Sequence, residues 1–427
     1  MKRLLICTPT YSLHGGVERI MESLAANLPD HGYEVLFALA RGSRFHDPDR
    51  FRAEYPRIKS IEIDGTSGSA RGRRRSLRLV IERCDPDVVL MARLFDVYPV
   101  AAKLKSEGRR LRLAVTIQAI EAEYFADALR YRDFIDACIT SGVLAAEAAV
   151  RIAHISAERV TSIPGGVAPP HRFRLPSDVL RLGYVGRIES VQKRALDLAD
   201  LLDELRRRGV PFTCVVAGTG SEEEELRRRA GDDVSFRGWV DTATLYDHIY
   251  PELDVFLHFA AWEGITIAPR EAMAHGAIPV ISRFKGLAQE QQFLDGVNAL
   301  TFPVGDIRAA ADCVERLHHD RALLERLSSA ARASQAGIRS EAGAATAWAR
   351  ALDDALARQQ RIGEIPPLPD AQGRLDRIFP PAAAEQMRRL LGRRFEHNDP
   401  GSEWPHWSGQ SDPAVVEQLN ALADAVQ

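Results

Sequence analysis

What most constrains this chain is that it alternates, twice over, short apolar runs with amphipathic helical patterns. The first series opens with Leu4-Leu5-Ile6-Cys7, too short for a helix and right for a buried strand, ended by Thr8-Pro9-Thr10. Val17, Ile20, Leu24 and Leu28 then recur at helical spacing, Gly32 closes that helix, and 34–39 forms the next strand. The alternation continues through strands at 87–90, 111–117, 136–140 and 160–163. The stretch 168–178, rich in proline and polar residues, reads as a boundary. A second series begins at Leu180-Arg181-Leu182-Gly183-Tyr184-Val185 and adds a helix near 194–208 and strands at 212–217, 234–236, 254–259 and 278–282. Strands this apolar, separated by helices, require a parallel sheet covered on both faces. The expected fold class is α/β: two Rossmann-like doubly wound domains over 1–170 and 171–340, then C-terminal helices and a tail over 341–427.

At 427 residues the chain is long enough for two cores. Its 45% hydrophobic and 27% charged content is ordinary for a soluble globular protein, and a net charge of -3 argues against a nucleic-acid binder. The first 170 or so residues lean basic, about +4, which suits a surface touching anionic lipid or an anionic acceptor. Cys7, Cys84, Cys138, Cys214 and Cys313 form no C-x-x-C pair and suggest neither a disulfide framework nor a zinc site. Only about five apolar residues separate Met1-Lys2-Arg3 from Pro9, too few for a signal peptide, and no run reaches the length of a membrane span. A cytoplasmic protein is expected, with peripheral contact on the inner face of the membrane as a further option.

The stretch richest in chemistry is Trp262-Glu263-Gly264-Ile265-Thr266-Ile267-Ala268-Pro269-Arg270-Glu271-Ala272-Met273-Ala274-His275-Gly276. From about Ile267 it reads as a helix, with Pro269 tolerated in the first turn and Gly276 as its stop. A helix N-terminus offers unpaired N–H groups to a phosphate or a sugar oxygen, and carboxylates beside it accept hydrogen bonds from hydroxyls. The bare pair Glu263 and Glu271 equally fits one dipole-complementing and one solvated glutamate. Gly186-Arg187, with Lys193 six residues on, ends the first strand of the second series; the two cations would neutralise a diphosphate or simply be solvated. Gly15-Gly16 fits a plain tight turn or a close backbone approach to a ligand. Gly218-Thr219-Gly220 is a poor dinucleotide fingerprint, because the four glutamates after Ser221 would repel a pyrophosphate; Ser221 is the expected N-cap there. Arg71-Gly72-Arg73-Arg74-Arg75 reads as a solvated helix start, or as a contact with anionic membrane or a phosphorylated acceptor. Trp404 and Trp407 fit either packing or a partner contact.

The block from Trp262 to Gly276 resembles the donor-site signature of the retaining glycosyltransferases of family 4, where two glutamates stand on this loop and helix as E-x7-E. The resemblance covers most of residues 1–340, densely in the second domain. It implies the GT-B type, two Rossmann-like domains facing across a cleft with a nucleotide sugar held mostly by the second. It implies that Glu263 contacts the transferred sugar and Glu271 the ribose, while Arg187 and Lys193 bind the diphosphate. Glu263, Arg187 and Lys193 are thus the implied catalytic set. The amides of Gly264, Ile265, Thr266 and Ile267 would add donors. Gly186 and Gly218 would turn beside the nucleotide, Trp239 lies in the segment where members place the base, and Gly16 matches the N-terminal glycine loop. Where many members carry a histidine near the donor sugar, this chain has Gln118, which donates a hydrogen bond but carries no proton.

The implied activity is retaining, metal-independent transfer of a sugar from a UDP- or GDP-type donor, with no cofactor. The acceptor would be a glycan, a lipid-linked glycan or a small molecule, in cell-envelope polysaccharide or lipopolysaccharide assembly. A donor phosphate oxygen takes the acceptor's proton in that scheme, so a base such as His14 is not required. Two rivals keep the fold: a sugar phosphorylase or nucleotide-sugar epimerase, and a non-catalytic subunit.

Overall fold

The computed structural model describes residues 1–264, 266–367, 374–392, 395–407 and 413–424. Seven parallel strands build the first sheet: β1 (Lys2–Thr8), β2 (Tyr33–Arg41), β3 (Ser60–Asp64), β4 (Val88–Met91), β5 (Arg112–Ile117), β6 (Ile135–Thr140) and β7 (Val160–Ser162). Six build the second: β8 (Leu180–Val185), β9 (Phe212–Ala217), β10 (Val234–Gly238), β11 (Val255–His258), β12 (Ile278–Ser282) and β13 (Leu300–Phe302). Their spatial orders are β3-β2-β1-β4-β5-β6-β7 and β10-β9-β8-β11-β12-β13. Both sheets are doubly wound, and each reverses its order once, between β1 and β4 and between β8 and β11. Ligands of such sheets bind outside the carboxyl ends of the strands that flank the reversal.

Strand pleating explains how the second sheet is covered. Val255 and Leu257 of β11 join the core that includes Leu201, Leu202 and Leu205 from the helix Asp197–Arg207. Phe256, pointing the other way, packs with Tyr250, Ala272 and Ala277. One buried charge pins the amino end of this sheet. Asp254 is fully buried and accepts from Arg174 at 2.8 Å and from the Arg181 backbone N–H at 2.9 Å and Nε at 3.0 Å.

The chain folds as two compact units, Met1–Pro164 with Ala345–Leu422, and Gly165–Ala344 with Ala423–Gln427. Most of the segment beyond 341 therefore belongs with the first sheet. The Asp353 carboxylate, on the helix Glu341–Ala357, takes Lys2 Nζ at 2.5 Å and the Tyr33 hydroxyl. Farther on, Glu403 is buried in the loop after β2. It accepts from the Arg44 N–H at 2.7 Å, the Phe45 and His46 N–H groups at 3.1 Å each, the Ser43 hydroxyl at 2.9 Å and His46 Nδ1 at 2.8 Å. A Cβ at Gly42 would stand 1.9 Å from this carboxylate, so only glycine admits it.

Trp404 and Trp407 are buried and serve packing: Trp404 lies against Gly65 with the Arg73 guanidinium 5.6 Å from its ring, and Arg74 lies 5.2 Å from the Trp407 ring. The basic run of the sequence is thus partly turned inward. Arg73 is buried and paired with Asp96 at 2.7 Å, while Arg71 and Arg75 remain exposed. Among the described residues no helix is long and apolar enough to cross a membrane.

Burial pushes the Glu403 carboxyl up, but the His46 and Ser43 bonds and the loop amides hold it down at about 2, against an ordinary 4.5. Its stabilisation is therefore complete above about pH 4.5 and is lost as pH falls toward 2. Glu403→Gln is expected to cost on the order of 3 kcal/mol at neutral pH. Urea unfolding followed by tryptophan fluorescence should register this, and the gap between the two proteins should fall by more than half near about pH 3. A gap independent of pH would refute the charged latch.

Candidate active site

β8 and β11 are neighbours, with Leu182 opposite Val255 and Gly183 opposite Phe256, so the loops that leave their carboxyl ends meet. After β8 the chain turns at Gly186, and the Glu189 carboxylate then organises the loop. It accepts from the backbone N–H of Gln192 at 3.0 Å and of Lys193 at 2.9 Å. This turn aims Lys193 Nζ at Glu263 Oε1, 2.5 Å away. His258, the last residue of β11, donates from Nε2 to the same oxygen at 2.8 Å. With a carboxylate on Nε2, the imidazole proton sits there, and Nδ1 is buried with no partner among the described residues. Burial pushes the Glu263 carboxyl up; the Lys193 ammonium and the His258 bond outweigh it and hold the group ionised down to about 2.

Gln192 ties the second cation to this cluster. Its amide nitrogen donates to the Trp262 carbonyl at 3.1 Å and approaches Glu263 Oε2 at 3.5 Å, and its amide oxygen accepts from Arg187 at 2.7 Å. Gly186, Lys193, His258 and Glu263 line one pocket together with residues 266–269 at the start of the helix Ile267–His275. That helix begins as the sequence suggests and ends at Gly276, whose φ of 101° caps it in the left-handed region. Arg187 is exposed and does not line the pocket. Glu271 does not line it either: it is buried on the helix and accepts from the Tyr250 hydroxyl at 2.8 Å. The neighbouring Arg270 is also buried and donates to the Gly165 and Arg339 carbonyls, which fixes the helix within its unit.

The glycine turns have a structural cause. Gly218 has a φ of 139°, and a Cβ there would stand 1.9 Å from the Gly186 carbonyl; at Gly220 it would stand 2.1 Å from that of Ile188. The loops after β8 and β9 thus press backbone to backbone, which only glycine permits. The acidic helix beyond starts at Glu223 with Glu222 as its N-cap, not at the expected Ser221. Trp239 follows β10 and is half exposed. Thr266 Oγ1 lies 3.2 Å from Gln292 Oε1, and Ile265 falls outside the described residues.

The remaining expected residues lie in the first unit. Gly16 opens the helix Gly16–Asn27 after β1. Gln118 follows β5 and is buried, and its Oε1 meets no donor among the described residues. Beside the β1–β4 reversal, Arg93 holds an ion pair with buried Glu18 from a backbone φ of 63°. Sequence reasoning missed His258, Gln192 and Arg93. Of these only His258 had a signal, as the one polar residue ending an apolar strand.

Two family models match the chain in succession: Glycosyltransferase Family 4 over residues 14–169 and Glycosyl transferases group 1 over residues 180–320. No curated protein matches it. Among solved structures it is similar to the sucrose-phosphate synthase of Thermosynechococcus elongatus, at 15% identity and a TM-score of 0.69, covering 84% of this chain and 100% of that one. It is also similar to HepE of Anabaena, solved with UDP and glucose, at 17% identity and 0.66, covering 83% and 100%. The lipopolysaccharide outer core galactosyltransferase WaaB follows at 18% identity and 0.65, covering 83% and 99%. At such identities the structures attest the fold alone, and the two models, which between them take in more than half of the residues, attest the family. The chain belongs to the family 4 glycosyltransferases and has their two-domain α/β fold of the GT-B type.

Proposed function

We propose that this glycosyltransferase is a retaining, metal-independent enzyme that takes a sugar from a nucleoside diphosphate and passes it to a glycan or lipid-linked acceptor. The observation that carries the reading is the Lys193–Glu263–His258 cluster at the carboxyl ends of β8 and β11. In the proposed mechanism Lys193 and Arg187 stabilise the charge that grows on the departing diphosphate, with the amides at the start of the helix Ile267–His275 as further donors. Glu263, kept ionised, accepts hydrogen bonds from sugar hydroxyls, and His258 fixes its orientation. The bond from the anomeric carbon to the phosphate oxygen breaks, the acceptor oxygen bonds to that carbon on the same face, and a phosphate oxygen takes the acceptor's proton.

Glu271 is proposed to hold the ribose, sharing its carboxylate between the Tyr250 hydroxyl and a ribose hydroxyl. UDP is the first nucleotide to test, because HepE was solved with UDP and with UDP-glucose. A role in cell-envelope polysaccharide assembly is favoured by the likeness to WaaB, a lipopolysaccharide galactosyltransferase by its description.

Calorimetric titration across UDP, GDP and their sugars tests the donor assignment. One nucleotide should bind, and Glu271→Gln should weaken it about tenfold or more. Binding of none of them would leave a non-catalytic subunit as the better reading. Lys193→Ala should lower kcat about 100-fold or more with donor binding retained in part. The same substitution removes one of the two partners that oppose burial at Glu263 and leaves only His258, so that carboxyl should rise from its value of about 2. The residual activity should then fall on acidification through a limb that the wild-type rate profile lacks. An unchanged profile would contradict the pairing.

A further inference from the structure

The residue that follows Lys193 has an uncommon backbone. Arg194 has a φ of 50°, in the left-handed region, where a Cβ crowds the neighbouring carbonyl and glycine is the usual occupant. The loop before it is held at several points. The Glu189 carboxylate takes the N–H groups of Gln192 and Lys193, and the Ala195 N–H donates to the Glu189 carbonyl at 3.1 Å. The Ala261 N–H donates to the Gln192 carbonyl at 2.9 Å, which ties this loop to the one that carries Glu263. Lys193 stands between those bonds and the left-handed residue, so the direction of its side chain depends on both.

A strained backbone persists only where its surroundings fix it, and here the Arg194 side chain does so. Its Nε lies 2.8 Å from Asp197 Oδ2 and its Nη2 3.2 Å from Oδ1, so the guanidinium meets both carboxylate oxygens. Asp197 opens the helix Asp197–Arg207, which is seated in the core through Leu198, Leu201, Leu202 and Leu205, and its side chain is only 14% exposed. Gly305, in the loop after β13, leaves room for this fork: a Cβ there would stand 3.1 Å from Nη2. An ion pair along an exposed helix face would add little and constrain nothing. This one runs from a left-handed residue outside the helix to a mostly buried carboxylate at its start, and closes the turn on a rigid element.

We infer that Arg194 is a positioning residue: its fork to Asp197 holds the left-handed turn that directs Lys193 Nζ onto Glu263 and, once a donor is bound, onto the diphosphate. The second half of this inference rests on the proposed donor reading; the first concerns the protein alone. Arg194 touches no substrate in this scheme and acts through Lys193. Three substitutions separate its two parts. Arg194→Ala removes the fork and keeps a Cβ in the left-handed region, Asp197→Asn removes the charge that the fork grips, and Arg194→Gly removes the fork and the strain together.

Trace acetylation with acetic anhydride, read lysine by lysine by mass spectrometry on the full chain, tests the positioning without a nucleotide. Lys193 is 21% exposed and held on a buried carboxylate, so it should label slowly against the exposed Lys59. Arg194→Ala and Asp197→Asn should each raise Lys193 labelling about fivefold or more, and Arg194→Gly should recover at least half of that change. Lys285, in the same unit, should label at its wild-type rate in all of them. Unchanged Lys193 labelling in Arg194→Ala, a parallel rise at Lys285, or no recovery in Arg194→Gly overturns the inference. Calorimetric titration with UDP and with GDP tests the route through Lys193. Arg194→Ala should weaken the nucleotide that binds about tenfold, and should weaken it no further when Lys193→Ala is already present. Equal weakening in both backgrounds would place the effect elsewhere and overturn the inference. Absent nucleotide binding in wild type, with the labelling pattern as stated, would overturn the proposed donor function alone.

Discussion

A parallel sheet whose strand order reverses cannot cover the carboxyl ends of the two strands at the reversal with its own crossovers, which leave in opposite directions. This constraint governs both units. In the second, it brings the loops after β8 and β11 together, and with them Lys193 and Glu263 from positions seventy residues apart in sequence. In the first, it leaves an edge at which Glu18 pairs with Arg93, and the returning C-terminal segment meets Asp127 on the helix after β5.

Burying charge costs desolvation, and three carboxylates meet that cost with several partners each. Glu263 has Lys193 and His258, Asp254 has Arg174 and Arg181, and Glu403 has a hydroxyl, an imidazole and three amides. The consequences differ by location. At Asp254 and Glu403 the partners leave no side open, and the groups act as staples. At Glu263 one flank opens onto a pocket, so a charge kept ionised by its neighbours is also presented to a ligand.

The tail packs on the first unit through buried side chains. Arg73 and Arg74, which a sequence reader takes for a solvated basic face, turn out to hold Asp96 and the rings of Trp404 and Trp407. Their charge is engaged inside the unit, which removes part of the argument for a contact with an anionic membrane there.

The sequence by itself determined the elements and their class. Apolar runs too short for helices, alternating with amphipathic ones, admit little except parallel sheets wound on both faces, and both sheets have that form. It also carried the loop and helix around Glu263, because a helix start after a buried strand is a local property: Pro269 and Gly276 act on the few residues around them. What only the tertiary structure decided is which charges meet. Lys193 reaches Glu263, Gln192 links Arg187 to it, and His406 finds Asp127 across 279 positions. Glu271 accepts from the Tyr250 hydroxyl and does not line the pocket that residues 266–269 line. Hydrophobic periodicity records which face of an element is buried. A hydrogen bond between distant loops leaves no periodic trace, since its geometry exists only once strand order has set the loops side by side.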